Sequence, residues 1–536
     1  MKTLYLYLLA LLSGLLLTFA WFPHGCTPLI FISFVPLFIL EKNITETPEK
    51  HHRATLFLSG YLAFLTWNVL TTWWVKNASV GGAALAILCN SLLMTLVFWF
   101  YHRVKKKTGE KWAYLILCSF WITGEFLHLD WDLSWPWLTL GNIFANTPDW
   151  IQWYEYTGVF GGGLWILITN CTVASCFLKT TSAYRFQLNK LKIIALTILL
   201  IMPVALSYLI KARAQAGLAG STKVYDVVAV QPNIDPYNEK FSGSVDEQVK
   251  KMLTLAAEKI DSNTAYVLFP ETALPELIWE NKWDENESIQ QLRTFIKKYP
   301  KLNIIIGAVT AKFYSPQEKR SATARKFTNE DAYYDDYNTA LQLSHRETIQ
   351  VYHKSKLVPG VEKLPFPSIF KFLDKLAIDL GGTTGSLGTQ EERSVFSAFG
   401  LNAAPVICYE SIYGEYVGDY VNNGANFIAI ITNDGWWGDT PGYKQHLKYG
   451  ALRAIETRRW IARSANTGIS CFIDPTGKIL QETGWWVPAA IKGKIQMRNE
   501  ITFYTRYGDY IARIAMLLSA LLIIYSLLIR FRIIKK

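Results

Sequence analysis

A carboxylate, an ammonium and a thiol each stand just past a short apolar run in this chain. The runs are Ala-Tyr-Val-Leu-Phe-Pro-Glu271, Ile-Gln-Val-Tyr-His-Lys354 and Ala-Pro-Val-Ile-Cys408-Tyr-Glu410. Short apolar runs of this length read as buried strands. A reactive side chain just beyond a strand end sits on rigid scaffold at the rim of a sheet, within reach of substrate. Cysteine attacks as its thiolate, and a nearby cation such as Lys354 makes that form easier to reach. The same ammonium can then hold the oxyanion of a tetrahedral intermediate. Glu271 can take the thiol proton and return it to a leaving group, or accept one from an incoming amine. Glu410 is a second acid at the same strand end as Cys408. On residue types alone a competing reading stays open, because a single cysteine after a strand is also the ordinary form of a buried core thiol.

The elements that must position these groups alternate along residues 212–510. Stretches 224–231, 266–269, 303–309, 338–343, 349–353, 405–408 and 427–432 read as strands, with amphipathic helices such as 245–260 between several of them. That alternation predicts a layered α/β domain. Cys471 reads as a strand core residue, and a Cys408–Cys471 disulfide would remove the nucleophile, so both are taken as thiols. The remaining cysteines, Cys26, Cys89, Cys118, Cys171 and Cys176, lie in or beside apolar spans and read as packing residues.

Outside that domain the chain reads as membrane-spanning. Hydrophobic residues make up 51% of the 536 and mean hydropathy is +0.14, which suits a membrane part joined to a water-facing part. Eight apolar segments, 4–20, 27–40, 54–75, 81–101, 112–129, 161–178, 191–210 and 511–529, mostly approach the roughly 20 residues that cross a bilayer. The first has a basic start but no small-x-small cleavage site, so it reads as an uncleaved anchor. The expected organisation is therefore transmembrane helices over 1–211, a catalytic domain over 212–510, and a last helix with a basic tail over 511–536.

The net charge of +11 resembles a nucleic-acid signal until it is located. Between Arg213 and Asp509 basic and acidic residues cancel at 34 each, so the excess lies in the membrane parts and their flanks. Alternate loops carry Lys42, Lys50 and Arg53, then Arg103, Lys105, Lys106, Lys107 and Lys111, then Lys179, Arg185, Lys190 and Lys192, whereas the short opposite loops offer only Lys76. The positive-inside rule then puts residues 212–510 on the outer face of the membrane. The loop 130–160 has no Lys or Arg but holds Trp131, Trp135, Trp137, Trp150 and Trp153. It is expected on the membrane surface, either as an aromatic belt or as part of a lipid entry route.

Three blocks, Phe269-Pro-Glu271-Thr-Ala, Tyr352 through Glu362, and Ile407-Cys408-Tyr-Glu410, resemble in order and separation the signature blocks of the nitrilase (carbon-nitrogen hydrolase) superfamily, as does Thr432-Asn-Asp-Gly-Trp-Trp-Gly438. With the apolar spans around them, and with Glu125 through Asn142, the chain resembles the bacterial apolipoprotein N-acyltransferase family over nearly its whole length. The resemblance implies a bundle of about eight transmembrane helices plus a nitrilase-like αββα sandwich. It also implies Glu271 as general base and acid, Lys354 as oxyanion stabiliser, Cys408 as nucleophile, Glu362 as supporting acid and Glu410 in support. The implied reaction is ping-pong. An acyl chain passes from a phospholipid, phosphatidylethanolamine by expectation, to Cys408 as a thioester, then to the α-amino group of the diacylglyceryl-cysteine of a lipoprotein. A monomer in the bacterial inner membrane, with its catalytic domain on the periplasmic side, is expected.

Departures from the family pattern are local. Pro359-Gly-Val-Glu362 stands where Pro-Phe-Gly-Glu is usual, His128 where an arginine is common, and Gly435 and Trp437 replace an alanine and a phenylalanine. A thioester can acylate an amine without ATP, and the chain has neither a Gly-x4-Gly-Lys-[Ser/Thr] loop nor a His-Glu-x-x-His motif, so no cofactor or metal is expected. His446 reads as a packing or hydrogen-bonding residue. Candidates for substrate contact are Trp279, Phe366, Phe370, Trp436 and Trp437. Phe370 belongs to an apolar stripe in 365–378 that fits either a lid touching the membrane or an ordinary core helix. Trp279, on an expected loop after Glu271, carries the same choice. Two rival functions remain: a membrane-tethered amidase in which water resolves the thioester, and a non-catalytic lipid-binding membrane protein.

Overall fold

A computed structural model describes residues 2–21, 25–46, 52–179, 184–219, 223–328, 330–363, 365–366, 386–398 and 400–531. The chain divides into two compact units. One comprises Met1–Lys76, Val80–Lys211 and Tyr507–Lys536, the other Asn77–Ser79 and Ala212–Arg506.

The first unit is helical. Among the described residues six helices are long and apolar enough to cross a membrane: Thr27–Glu46, Ala54–Asn77, Val80–Thr108, Tyr154–Ser175, Lys190–Gly217 and Tyr510–Arg530. Leu4–Ala20 and Ala113–Leu127 are shorter apolar helices in the same unit. Leu191, Ile201 and Leu209 on one long helix, with Leu517 and Leu521 on the last, stay exposed. Such outward apolar faces suit lipid better than water. The tryptophan-rich loop departs from expectation. It winds through short 3-10 turns, Pro136–Leu138, Leu140–Asn146 and Pro148–Trp150, and buries Trp135, Trp137 and Trp153. Trp135 and Trp137 stack at 5.2 Å, and Trp74 packs on Trp137 at 4.9 Å. These indoles are core, because ring-on-ring packing inside the bundle buries more of each than a headgroup layer would.

The second unit is two sheets face to face with helices outside both. The first sheet runs Ala489–Gln496, Val224–Gln231, Thr264–Leu268, Asn303–Phe313, Tyr333–Leu343 and Arg325–Lys326, with Leu274–Trp279 paired to Asn303–Phe313 and Gln350–His353 to Tyr333–Leu343. The second runs Phe396–Ala398, Leu401–Ile407, Phe427–Thr432, Trp460–Ala465, Cys471–Ile473 and Ile479–Leu480, and its three central strands are parallel.

Alternation along each strand builds the layers. Val227 and Ala229 join Phe427, Ala429 and Phe472 in the core between the sheets, where Tyr266 meets Phe427 edge-on and Gly493 lies against Phe472. Val228 and Val230 point the other way, to Val249, Met252 and Leu292 of the helices Val245–Ala257 and Glu287–Ile296. Gly414–Asn422 and Pro441–Thr457 are helices of the second sheet's side. The layering is αββα, and the strand ends gather the reactive residues at one rim.

Candidate active site

Glu271 follows the strand Thr264–Leu268 through Phe269 and Pro270, in a turn whose next residue, Thr272, has φ +49°. The neighbouring strand passes very close: Gly307 N donates to Pro270 O at 3.1 Å, and a Cβ on Gly307 would stand 2.6 Å from Glu271 Cα. Lys354 ends the strand Gln350–His353, its backbone N donating to Asn338 O at 2.8 Å. Cys408 follows Leu401–Ile407 and opens the short turn Cys408–Ile412 with φ +50°. A non-glycine residue in that left-handed region is held there by its surroundings, and the sharp turn lifts the thiol off the strand axis.

The side chains converge. Lys354 Nζ donates to Glu271 Oε1 and Glu362 Oε1, both at 2.8 Å. Asn338 Nδ2 donates to the same two oxygens at 2.8 and 2.9 Å, and Asn433 N donates to Glu271 Oε2 at 3.2 Å. Lys240 Nζ donates to Glu271 O at 3.2 Å. Lys240, Glu271, Lys354 and Cys408 are all buried, at 3, 6, 1 and 8% exposure.

Burial works against the Glu271 carboxylate, but Lys354, Asn338 and Lys240 outweigh it and bring the group below its ordinary value. Burial likewise opposes the Lys354 ammonium, and Glu271 with Glu362 overcomes it, holding the amine well above its usual range. The Cys408 thiol is pushed far up, first by burial and then by the Glu271 charge, with Lys354 opposing. The resting sulfur therefore keeps its proton. Such a thiol attacks only as a base removes the proton during bond formation, and Glu271 is an ionised carboxylate in the same cluster.

Glu362 reaches Lys354 despite the altered loop. Gly360 takes φ +81°, Gly360 N donates to Lys363 O at 2.8 Å, Glu362 N to Val358 O at 3.0 Å, and Val358 N to Glu362 Oε2 at 2.9 Å. Glu410 is a strut between strand ends. Its Oε1 accepts from Tyr352 Oη at 2.7 Å, Tyr416 Oη at 2.6 Å and Ser355 N at 2.7 Å, and its Oε2 from Ile407 N at 2.9 Å. It ties the Lys354 segment to the Cys408 segment.

Behind Cys408, His446 Nε2 faces Cys408 O at 3.1 Å and Ser411 Oγ at 2.9 Å, while its Nδ1 faces Asp434 Oδ1 at 2.9 Å. Arg463 donates to Asp434 Oδ2 at 2.6 Å. Burial opposes the Asp434 carboxylate, but Arg463 and His446 hold it far below its ordinary range. Ligand atoms of Cys408, Asp434 and His446 lie within 4.8 Å of one another. Thr432 and His446 already engage one Asp434 oxygen and Arg463 the other, so the group reads as a hydrogen-bonded backing for the turn.

The other candidates scatter. Trp436 lies against Tyr237 at 5.3 Å and Phe241 at 6.5 Å, and Trp437 meets His446 edge-on at 5.5 Å. Trp279 is not in a loop. It ends a strand and packs on Phe327 and Tyr334 at 5.9 and 5.7 Å. Phe366 is half-buried with φ +49°. Phe370 and residues 367–378 of the lid candidate lie outside the described residues. Sequence reasoning missed Lys240, which sits in a polar stretch with no pattern to mark it, and Asn338, a buried polar residue in a strand that also buries Asp335, Asp336 and Gln342, so that nothing singled it out.

Residues 227–501 match the family model described as carbon-nitrogen hydrolase. The chain belongs to that family. Residues 13–172 match a second model, the apolipoprotein N-acyltransferase N-terminal domain. Relatives called apolipoprotein N-acyltransferase align end to end with the chain. That of Chlorobaculum tepidum is 29% identical over 96% of this chain and 95% of its own length. The Geobacter metallireducens protein is 25% identical over 94% and 92%, and the Haemophilus influenzae protein 27% identical over 95% and 92%. With its apolar helices, this carbon-nitrogen hydrolase is a multi-pass membrane protein.

Proposed function

We propose that this protein is an apolipoprotein N-acyltransferase that carries the acyl chain on Cys408. The observation carrying this reading is the buried Glu271–Lys354–Cys408 group, on a chain whose end-to-end relatives bear that name. Cys408 Sγ attacks the ester carbonyl of a phospholipid as its proton passes to Glu271. Lys354 holds the oxyanion of the tetrahedral intermediate. Collapse breaks the ester C–O bond, and Glu271 returns the proton to the departing lysophospholipid oxygen. The α-amine of a diacylglyceryl-cysteine then attacks the thioester, loses a proton to Glu271, and displaces sulfur, which recovers that proton.

Glu362 steadies Lys354, and Glu410 keeps the two strand ends in register. Phosphatidylethanolamine is the proposed donor, and the periplasmic face of the inner membrane the proposed site, in keeping with the basic loops of the helical unit. The test is to incubate purified protein with phospholipid and a diacylated lipopeptide. N-acylated peptide supports the reading; free fatty acid without acylated peptide would make the protein a hydrolase.

A further inference from the structure

The buried charges do not balance without a fourth group. Glu271 and Glu362 bring two carboxylates to one ammonium, Lys354, and passing the Cys408 proton to Glu271 moves a negative charge onto sulfur without removing it from the cluster. The other charged group beside Cys408, Asp434, is already matched by Arg463. Facing the thiol are Glu271, Lys354, Asp434 and His446, with Tyr409 adjoining; facing Lys240 are Glu271 and Cys408.

Lys240 is held with care. Its own N and that of Glu239 donate to Asp235 O at 2.9 and 3.1 Å, Tyr237 N donates to Asp235 Oδ1 at 2.8 Å, and Gln248 Nε2 donates to Lys240 O at 3.2 Å. The Nζ then points to Glu271 O, and Asn433, with its amide oxygen turned inward, accepts from it at 3.1 Å. Among the described residues no carboxylate forms an ion pair with Lys240. Burying an ammonium against neutral oxygens is costly, and burial lowers this amine to about 8 although Glu271 attracts it. A side chain serving only as a strut need not carry a charge.

We propose that Lys240 is a positioning residue whose charge neutralises the Glu271–Glu362–Lys354 cluster and keeps Glu271 ionised as the base for Cys408. The inference rests on the nucleophile reading above, so its test needs no acyl donor. The rate of carbamidomethylation of Cys408 by iodoacetamide, followed on its own peptide by mass spectrometry, is measured against pH in the full-length protein.

In Lys240→Met the acid limb is expected to move up by about one pH unit, leaving roughly tenfold less reactive protein at a fixed pH on that limb. Lys240→Arg is expected to restore it. A uniform loss at every pH with an unmoved limb would make Lys240 a strut and overturn the proposal. So would an Arg variant displaced like the Met variant. Thermal unfolding checks each protein, and Lys240→Gln replaces the Met variant if that fails to fold. Failure of the wild-type Cys408 to react would instead count against the nucleophile.

Discussion

Cys408 is buried, protonated at rest and held at a positive φ, and each property constrains its chemistry. In the proposed mechanism such a sulfur depends on Glu271 for its reactivity, so Glu271→Gln and Lys354→Met should each lower turnover by about 10²-fold or more, one by losing the base and the other the oxyanion partner. Steady-state rates of lipopeptide N-acylation check this, and near-wild-type turnover in either would show its role misassigned. The pH dependence follows from Glu271. Its carboxyl lies below the ordinary 4.5 in the folded protein, so the stability it contributes is fully present above that value and lost as pH falls through the depressed one. Activity should therefore survive acidification through pH 4.5 and fail only below it, as a pH–rate profile would record.

Strand ends and close backbone contacts fix these residues, and at the scale of elements the contacts can be broken singly. Gly307→Ala places a methyl group against Thr272 N and Glu271 Cα. The turn must shift, with an expected stability cost of about 1–3 kcal/mol and a fall in kcat larger than any rise in KM. Asp434→Asn leaves Arg463 buried without its partner, at an expected cost of about 3–5 kcal/mol, read as a lowered thermal-unfolding midpoint. The strand runs ending at Glu271 and Cys408 were legible because buried strands leave apolar stretches, and the one ending at Lys354 because Ile349, Val351 and Tyr352 give it β-branched and aromatic character. Trp460–Ala465 was not, because Arg463 and Ser464 break the pattern and are buried by partners far away in sequence. Leu274–Trp279 was hidden by Pro275 and by its partial exposure. Lys240 was illegible for a related reason: its neighbours come from the turn after a different strand.

At the scale of the whole molecule, apolar helices and a polar αββα unit share one chain, and relatives align with it across both. The apolar segments were readable from length and composition, whereas the burial of the Trp135–Trp137 stack was not, since an indole suits a headgroup layer and a helix interface equally in sequence. Loop charge predicts that a cysteine placed at the exposed Ser321 reacts with a membrane-impermeant maleimide from the periplasmic side; labelling only after the inner membrane is permeabilised would reverse the topology. The most direct test of the account is the intact mass of the purified protein after mixing with phospholipid and no acceptor. The account predicts a mass increase of one acyl group on Cys408, removed by hydroxylamine and absent in Cys408→Ala. Acylation of an added lipopeptide by Cys408→Ala, or by a wild-type protein that never gains that mass, would contradict it.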